Sequence, residues 1–203
     1  MIRGLRDADA SVRATCTEAT VRGNDLLGRD KRARWVNPTV LPRLRELARD
    51  RDRTVRARAI AVLGLADPTH RLRAFDDPAA EVRAASVIGA PEPELRLLVA
   101  DPDPDVRAAA LAALGDRAPE LALHAATDLS AQVRKAAIAI LVADDVLERL
   151  ARDDSPEVAT AALVKLASHR GRAAVTSPLV ATLAMTPAGP QRVRIALAWL
   201  LAR

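Results

Sequence analysis

The sequence predicts an all-α fold, a right-handed α-solenoid of about seven short two-helix repeats that must stack to bury anything. Three observations predict it. The stretch 101–115, DPDPDVRAAALAALG, returns in imperfect copies along most of the chain. A second, shorter apolar stretch precedes most copies. Half of the 203 residues are apolar, yet the only aromatics are Trp35, Phe75 and Trp199. Large aromatics normally fill thick cores, so a chain rich in Ala, Leu and Val without them predicts thin helical layers in close approach.

The copies align on a valine near a helix start: Val12, Val55, Val82, Val106, Val133 and Val158. Five residues earlier stands Asp7, Asp50, Asp77, Asp101, Asp128 or Asp153. One residue later stands Arg13, Arg56, Arg83, Arg107 or Arg134, with Ala159 as the departure. Four residues later the residue is small: Cys16, Ala59, Ser86, Ala110, Ala137, Ala162. The valine, the small residue and the residue at +8 (Leu63, Leu114, Leu141, Leu166) share a helix face, and the small residue admits a neighbouring helix.

Helix starts are written into the same motif. Asp9, Asp52, Asp103, Ser130 and Ser155, three residues before the valine, are N-cap types that accept from an orphaned amide, and Ala79 is the exception. Pro104 and Pro156 stand at N1, and Glu81, Asp105 and Glu157 place negative charge in the first turn, where the dipole favours it. The arginine after the valine is a cation at the unfavourable end of that dipole and needs a compensating partner. The recurring aspartate supplies one, so Asp50, Arg56, Asp77, Arg83, Asp101, Arg107, Asp128 and Arg134 are expected to form an Asp–Arg ladder within or between repeats. The functional alternative is a row of arginines presented to phosphates.

The aspartates are spaced 43, 27, 24, 27 and 25 residues apart. The shorter elements at 41–50, 93–101, 119–128 and 145–153 are about two turns each, too short to be stable alone. The pattern D-P-x-P-x-V-R-x-A-A-x-x-A-L-G resembles the bacterial HEAT-like repeats of the type also found in phycobilisome-lyase-related proteins. The spacing is also similar to the leucine-rich-repeat-variant family. That resemblance covers roughly residues 1–168 and implies an α-solenoid; it leaves function open, since such repeats serve many scaffolds. The iron–sulfur cluster of some variant-repeat proteins needs several cysteines, and Cys16 is the only one here.

One repeat domain is expected over 1–203, with two departures. The 43-residue gap holds an insertion at about 23–38 with Lys31, Arg32, Arg34 and Trp35, and insertions in repeat arrays often map to the binding face. A basic cluster beside an aromatic suits phosphate contact and base stacking; the alternative is an ordinary connection whose Trp35 packs back on the first repeat. A degenerate capping repeat is expected at about 177–203, where Val193 and Arg194 match the helix start, Ala188 replaces the aspartate and Leu197 the small residue. Trp199 there either folds over the chain end or meets a partner.

Charge is uneven. Residues 1–75 hold 17 Lys/Arg against 9 Asp/Glu, net +8; residues 76–168 hold 9 against 17, net −8; residues 169–203 hold 5 and none, net +5. A basic third attracts nucleic acid or an acidic partner, although 28 Arg against three Lys also fits GC-rich codon usage. No apolar run approaches a membrane span and charged residues break up the N-terminal stretch, so a cytoplasmic protein is expected, without a membrane role. His70, His124 and His169 lie far apart, and no HxxxH, HExxH, P-loop, GxGxxG or GxSxG motif occurs, so no metal, cofactor or catalytic residue is expected. Cys16 reads as a packing residue. HEAT-like alkylpurine glycosylases hold an acidic residue and aromatics in a basic groove; this chain has the basic N-terminal third but no recognisable aromatic-lined site, so similarity to them is at fold level only.

The outward columns at +2, +3 and +6 read Ala84, Ala85, Ile88; Ala108, Ala109, Ala112; and Lys135, Ala136, Ala139. Helices so poor in charge should be buried or face a partner. A DNA groove needs repeated cations there, and only Arg58 and Lys135 supply them. The expected function is therefore a non-enzymatic protein–protein interaction scaffold. The alternative is nucleic-acid binding through the basic N-terminal third, with Lys31, Arg32, Arg34, Trp35 and Arg58 as the residues touching the partner. A lyase or chaperone-like role is a third reading, implied by the phycobilisome-lyase resemblance alone.

Overall fold

In a computed structural model of the chain, residues 3–22, 35–36, 38–66 and 68–170 are described. The predicted order of short helix, aspartate turn and longer helix recurs throughout them. The chain divides into two units, Met1–Val106 and Arg107–Arg203.

In the first unit a 3₁₀ turn, Gly4–Arg6, precedes α1 (Ala10–Glu18). Then come α2 (Leu41–Leu47) with α3 (Arg53–Ala66), and α4 (Pro68–Arg73), extended by the 3₁₀ turn Ala74–Asp76, with α5 (Ala80–Ala85). Next is α6 (Glu92–Leu98), followed by α7 (Pro104–Leu114), which begins at the end of the unit. The long helices pack in succession, α1 on α3 and α3 on α5, while α2 and α4 lie against α3. The core is thin and aliphatic: Leu5, Val40, Leu44, Leu47, Val55 and Leu63 are buried together.

The second unit repeats the plan with α8 (Pro119–Ala125), α9 (Ala131–Ile140), α10 (Asp144–Leu150) and α11 (Pro156–Arg170). Helices α8 and α11 pack on α9, and α10 packs on α11. Val133, Ala137, Leu141, Leu147, Val158, Ala162 and Leu166 lie in its core.

The valine, small-residue and +8 columns are buried from the second copy on, apart from Ala90 at +8 in the third, which is half-buried. In the first copy Val12 is 38% exposed, because only the 3₁₀ turn stands before α1 among the described residues. In the third copy the helix is cut to six residues, and Gly89 takes φ 75°, a conformation in which glycine carries no Cβ penalty. Gly64, at the end of α3, makes a close approach: a Cβ there would lie 2.7 Å from the Ile88 carbonyl oxygen.

Not all of the chain is helix. Val21–Arg22 pairs antiparallel with Trp35–Val36, Val21 opposite Val36 and Arg22 opposite Trp35, so a two-residue ladder brackets the insertion. Lys31, Arg32 and Arg34 lie outside the described residues, as does the capping repeat expected at 177–203.

Candidate functional site

The repeated aspartate–arginine edge is where charge is organised. In each rung an arginine reaches the aspartate of the following repeat with two parallel bonds. Nε donates to Oδ2 and Nη2 to Oδ1, at 2.7–3.0 Å, in Arg13–Asp50, Arg56–Asp77, Arg83–Asp101, Arg107–Asp128 and Arg134–Asp153. This fork-on-fork geometry is the strong form of a guanidinium–carboxylate contact. In Arg13, Arg56, Arg83 and Arg134, Nη1 turns back and donates to two carbonyls of the arginine's own turn. Arg56, for example, donates to the Asp50 and Arg51 oxygens at 2.9 and 3.1 Å. The cation at the helix start is thereby neutralised twice, by carbonyl dipoles from its own repeat and by a carboxylate from the next.

The aspartate has a second task that its position in the motif does not announce. Each one accepts, at Oδ1, the backbone N–H two residues ahead: Asp9 for Asp7, Asp52 for Asp50, Ala79 for Asp77, Asp103 for Asp101, Ser130 for Asp128 and Ser155 for Asp153. It shapes the turn as well as closing the rung. This turn bond is kept at Ala79 and Ser130, where no side-chain cap bond forms. The predicted caps do form at Asp9, Asp52 and Asp103, which accept from Ser11, from Thr54 and Val55, and from Asp105.

These contacts govern the ionisation of the rungs. Burial pushes the Asp50 and Asp77 carboxyls up, and the bonds from Arg13 and Arg56 with those from the Asp52 and Ala79 N–H groups more than reverse it, leaving both below the usual range. The bond from Arg107 holds the Asp128 carboxyl down in the same way against its burial. Bonds to Asp77, Asp101 and Asp153 raise Arg56, Arg83 and Arg134. Ala159, where the arginine is missing, is fully buried.

Of the residues expected to touch a partner, Arg58 forms an ion pair with Glu18 on α1, and Trp35 lies on the second strand of the β ladder. The alanine-rich columns are mostly half-buried: Ala108 alone is buried, Ala136 packs on the second unit's core and Ala85 against Ile60 and Val82, while Ala112, Lys135 and Ala139 are exposed. Cys16 is half-buried, packed so closely that a Cβ on Gly4 would collide with its sulfur. His169 lies 3.1 Å from Asp144, away from the other histidines in sequence. Among the described residues no three His, Cys, Asp or Glu gather as a metal site, and no helix is long and apolar enough to cross a membrane.

One functional-looking residue escaped the sequence reading. Arg71 occupies the position six before the aspartate that Leu44, Leu95, Ala122 and Leu147 fill with apolar bulk, and it is buried. Its Nε donates to Glu94 Oε2 at 2.8 Å, and Nη1 donates to the Gly64 and Gly89 carbonyls at 3.2 and 3.1 Å. It ties the last turn of α3 and the segment after the shortened α5 to α6. A comparison of the short-helix columns was the signal that could have found it.

No protein-family model and no curated protein matches the chain. Solved structures do. The X-ray structure of YibA from Escherichia coli matches with a TM-score of 0.55 and 19% identity, covering 99% of this chain and 91% of that one. The complex of CpcE and CpcF of phycocyanin lyase from a Nostoc species matches with a TM-score of 0.51 and 14% identity, covering 98% and 92%. At such identities the likeness is one of fold. The fold is that of HEAT-like repeat proteins, a helical repeat solenoid.

Proposed function

We propose that this chain is a non-enzymatic scaffold that holds a protein or peptide partner. The observation that carries the reading is the commitment of the ladder arginines. The repeated cation that could have formed a phosphate-binding row is engaged bidentately in every described rung. Apolar surface open to a partner is found on short helices of the first unit, where Leu72 on α4 and Leu97 on α6 are 50% and 69% exposed. Exposed aliphatics on repeated elements suit a protein surface better than a phosphodiester backbone. The pairing of Arg58 with Glu18 weakens the nucleic-acid alternative at the one helix cation of the basic third that was assigned to it. The phycocyanin-lyase likeness supports a role in handling another protein no further than fold allows.

The test is capture of partners from native extract by the tagged full-length chain. Partners recovered with the wild type and lost with Leu72→Glu/Leu97→Glu are the expected result. A wild-type chain that captures nothing, yet binds generic duplex DNA with a steep salt dependence, would refute the scaffold reading.

A further inference from the structure

A cleft of about 150 Å3 opens in the first unit between the end of α2 and the α4 segment. Its lining is Ala48, Ile60, Ala74 and Val82 together with Arg49, His70, Arg73 and Asp77. The four aliphatic residues include buried Ile60, Ala74 and Val82, which belong to one apolar cluster, so that part of the cleft is apolar. Arg49 and Arg73 are exposed, and neither guanidinium has an ion-pair partner among the described residues. The carboxylate in the lining is already spent: Asp77 accepts both bonds from Arg56 and the Ala79 N–H. His70 bonds its own neighbour, with Nδ1 3.4 Å from Thr69 Oγ1. The cleft therefore carries two uncompensated positive charges beside an apolar base.

The repeat register sets this cleft apart. Arg49 stands one residue before its aspartate, and Arg73 four residues before the next one. The same two positions read Arg6 and Glu46, Asp76 and Leu97, Ala100 and His124, and Thr127 and Arg149 in the other successive copies. No other pair puts arginine at both. The ladder does not use these arginines and the core does not need them, so packing gives no reason for their coincidence.

We infer that this cleft takes an acidic side chain of a bound protein segment, a glutamate or aspartate carboxylate held between Arg49 and Arg73, with a neighbouring aliphatic side chain on Ala48, Ile60, Ala74 and Val82. The inference rests on the scaffold reading and gives it an address and a partner chemistry. Guanidinium groups suit a carboxylate through paired N–H donors. Two features select a peptide over a nucleic acid. The lining has no aromatic on which a base could stack, and the volume accommodates one side chain rather than a nucleotide.

The probe is an acidic peptide, fluorescein-Glu-Leu-Glu-Glu-Leu-Glu-amide, followed by fluorescence anisotropy with the full chain at about 0.15 M salt, where screening acts within about 8 Å. A lysine-for-glutamate version and a short single-stranded oligonucleotide serve as controls. Arg49→Glu and Arg73→Glu should each weaken the acidic peptide by about tenfold or more. Arg51→Glu, an identical charge change at an exposed arginine outside the lining, should leave it within about twofold. Circular dichroism melts of all three variants verify the fold. Equal weakening by Arg51→Glu, no binding of the acidic peptide, or an oligonucleotide as the only probe sensitive to Arg49 and Arg73 would each overturn the inference. Those failures leave partner capture by the wild-type chain untouched, so the cleft and the scaffold reading fall separately.

Discussion

Removing Arg56 tests the ladder most directly. Its side chain is 16% exposed, facing an Asp77 side chain at 15%, and it makes four bonds, two to the carboxylate and two to carbonyls of its own turn. Hydrogen bonds involving a charged group contribute about 1.5–3 kcal/mol each, but they are not additive, since ordering a long side chain and desolvating both ions offsets much of the gain. Breaking a fully buried pair by deleting one partner costs about 3–5 kcal/mol. With residual exposure on both sides, and Asp77 Oδ1 still held by the Ala79 N–H, Arg56→Ala should cost about 2–4 kcal/mol. Urea unfolding of the single variants and of Arg56→Ala/Asp77→Ala gives a coupling energy, expected above about 1 kcal/mol. Hydrogen exchange should open first at the Asp50 and Asp77 turns, since repeats unfold in local units. A loss below about 0.5 kcal/mol, or Asp77→Ala costing the same with and without Arg56, would refute the claim that the rung stabilises the stack.

The other predictions concern the same architecture. The Asp50, Asp77 and Asp128 carboxyls lie below their unfolded values, so their stabilisation is complete above the unfolded aspartate value of about 3.9 and is lost as pH falls through the lower folded ones. Urea midpoints measured across the acid range should therefore drop below about pH 4, and Arg56→Ala should show a shallower fall; a midpoint flat in that range would count against the pairs. Gly64→Ala should destabilise by about 1–3 kcal/mol, since its Cβ meets a backbone oxygen that has no side-chain freedom to yield. A melt unchanged from wild type would show that α3 and Ile88 separate without cost. Arg71→Ala leaves Glu94 and two carbonyls without their donor and should cost about 3 kcal/mol or more, whereas Arg71→Leu/Glu94→Leu should recover most of it. Equal losses in the two variants would mean that apolar bulk cannot stand in for the Arg71 bonds.

The repeat was legible because each column obeys one local rule. Valine, the small residue and the +8 leucine share a helix face in any α-helix, and the aspartate and arginine columns keep company in five copies of six. What resisted reading were positions where a rule changes its bearer. Ser130 has the right chemistry for a cap, yet its side chain makes no cap bond, and the turn before its helix is shaped by Asp128, which accepts the Ser130 N–H. Lack of charge in the alanine columns leaves burial and a partner face equally open, and which of them applies at Ala108 and Ala136, which lie against the second unit's core, depends on how closely helices approach. The cleft at Arg49 and Arg73 joins residues 24 positions apart in different repeats, so neither stands out within its own copy. Arg71 looked like one more arginine in an arginine-rich chain; only its column shows that it stands where leucine is the rule.

Each rung is held jointly, with the donor in one copy and the acceptor in the next. Any two consecutive copies thus present the same lock and key, so one whole copy could be duplicated or deleted and the new neighbours would still engage. Ala159 breaks that interchangeability. A copy ending there offers no guanidinium to whatever follows, and with its methyl fully buried there is no room to restore one without moving the helix. Among the described residues the ladder therefore runs from the Arg13–Asp50 rung to the Arg134–Asp153 rung, and Ala159 adds no further one.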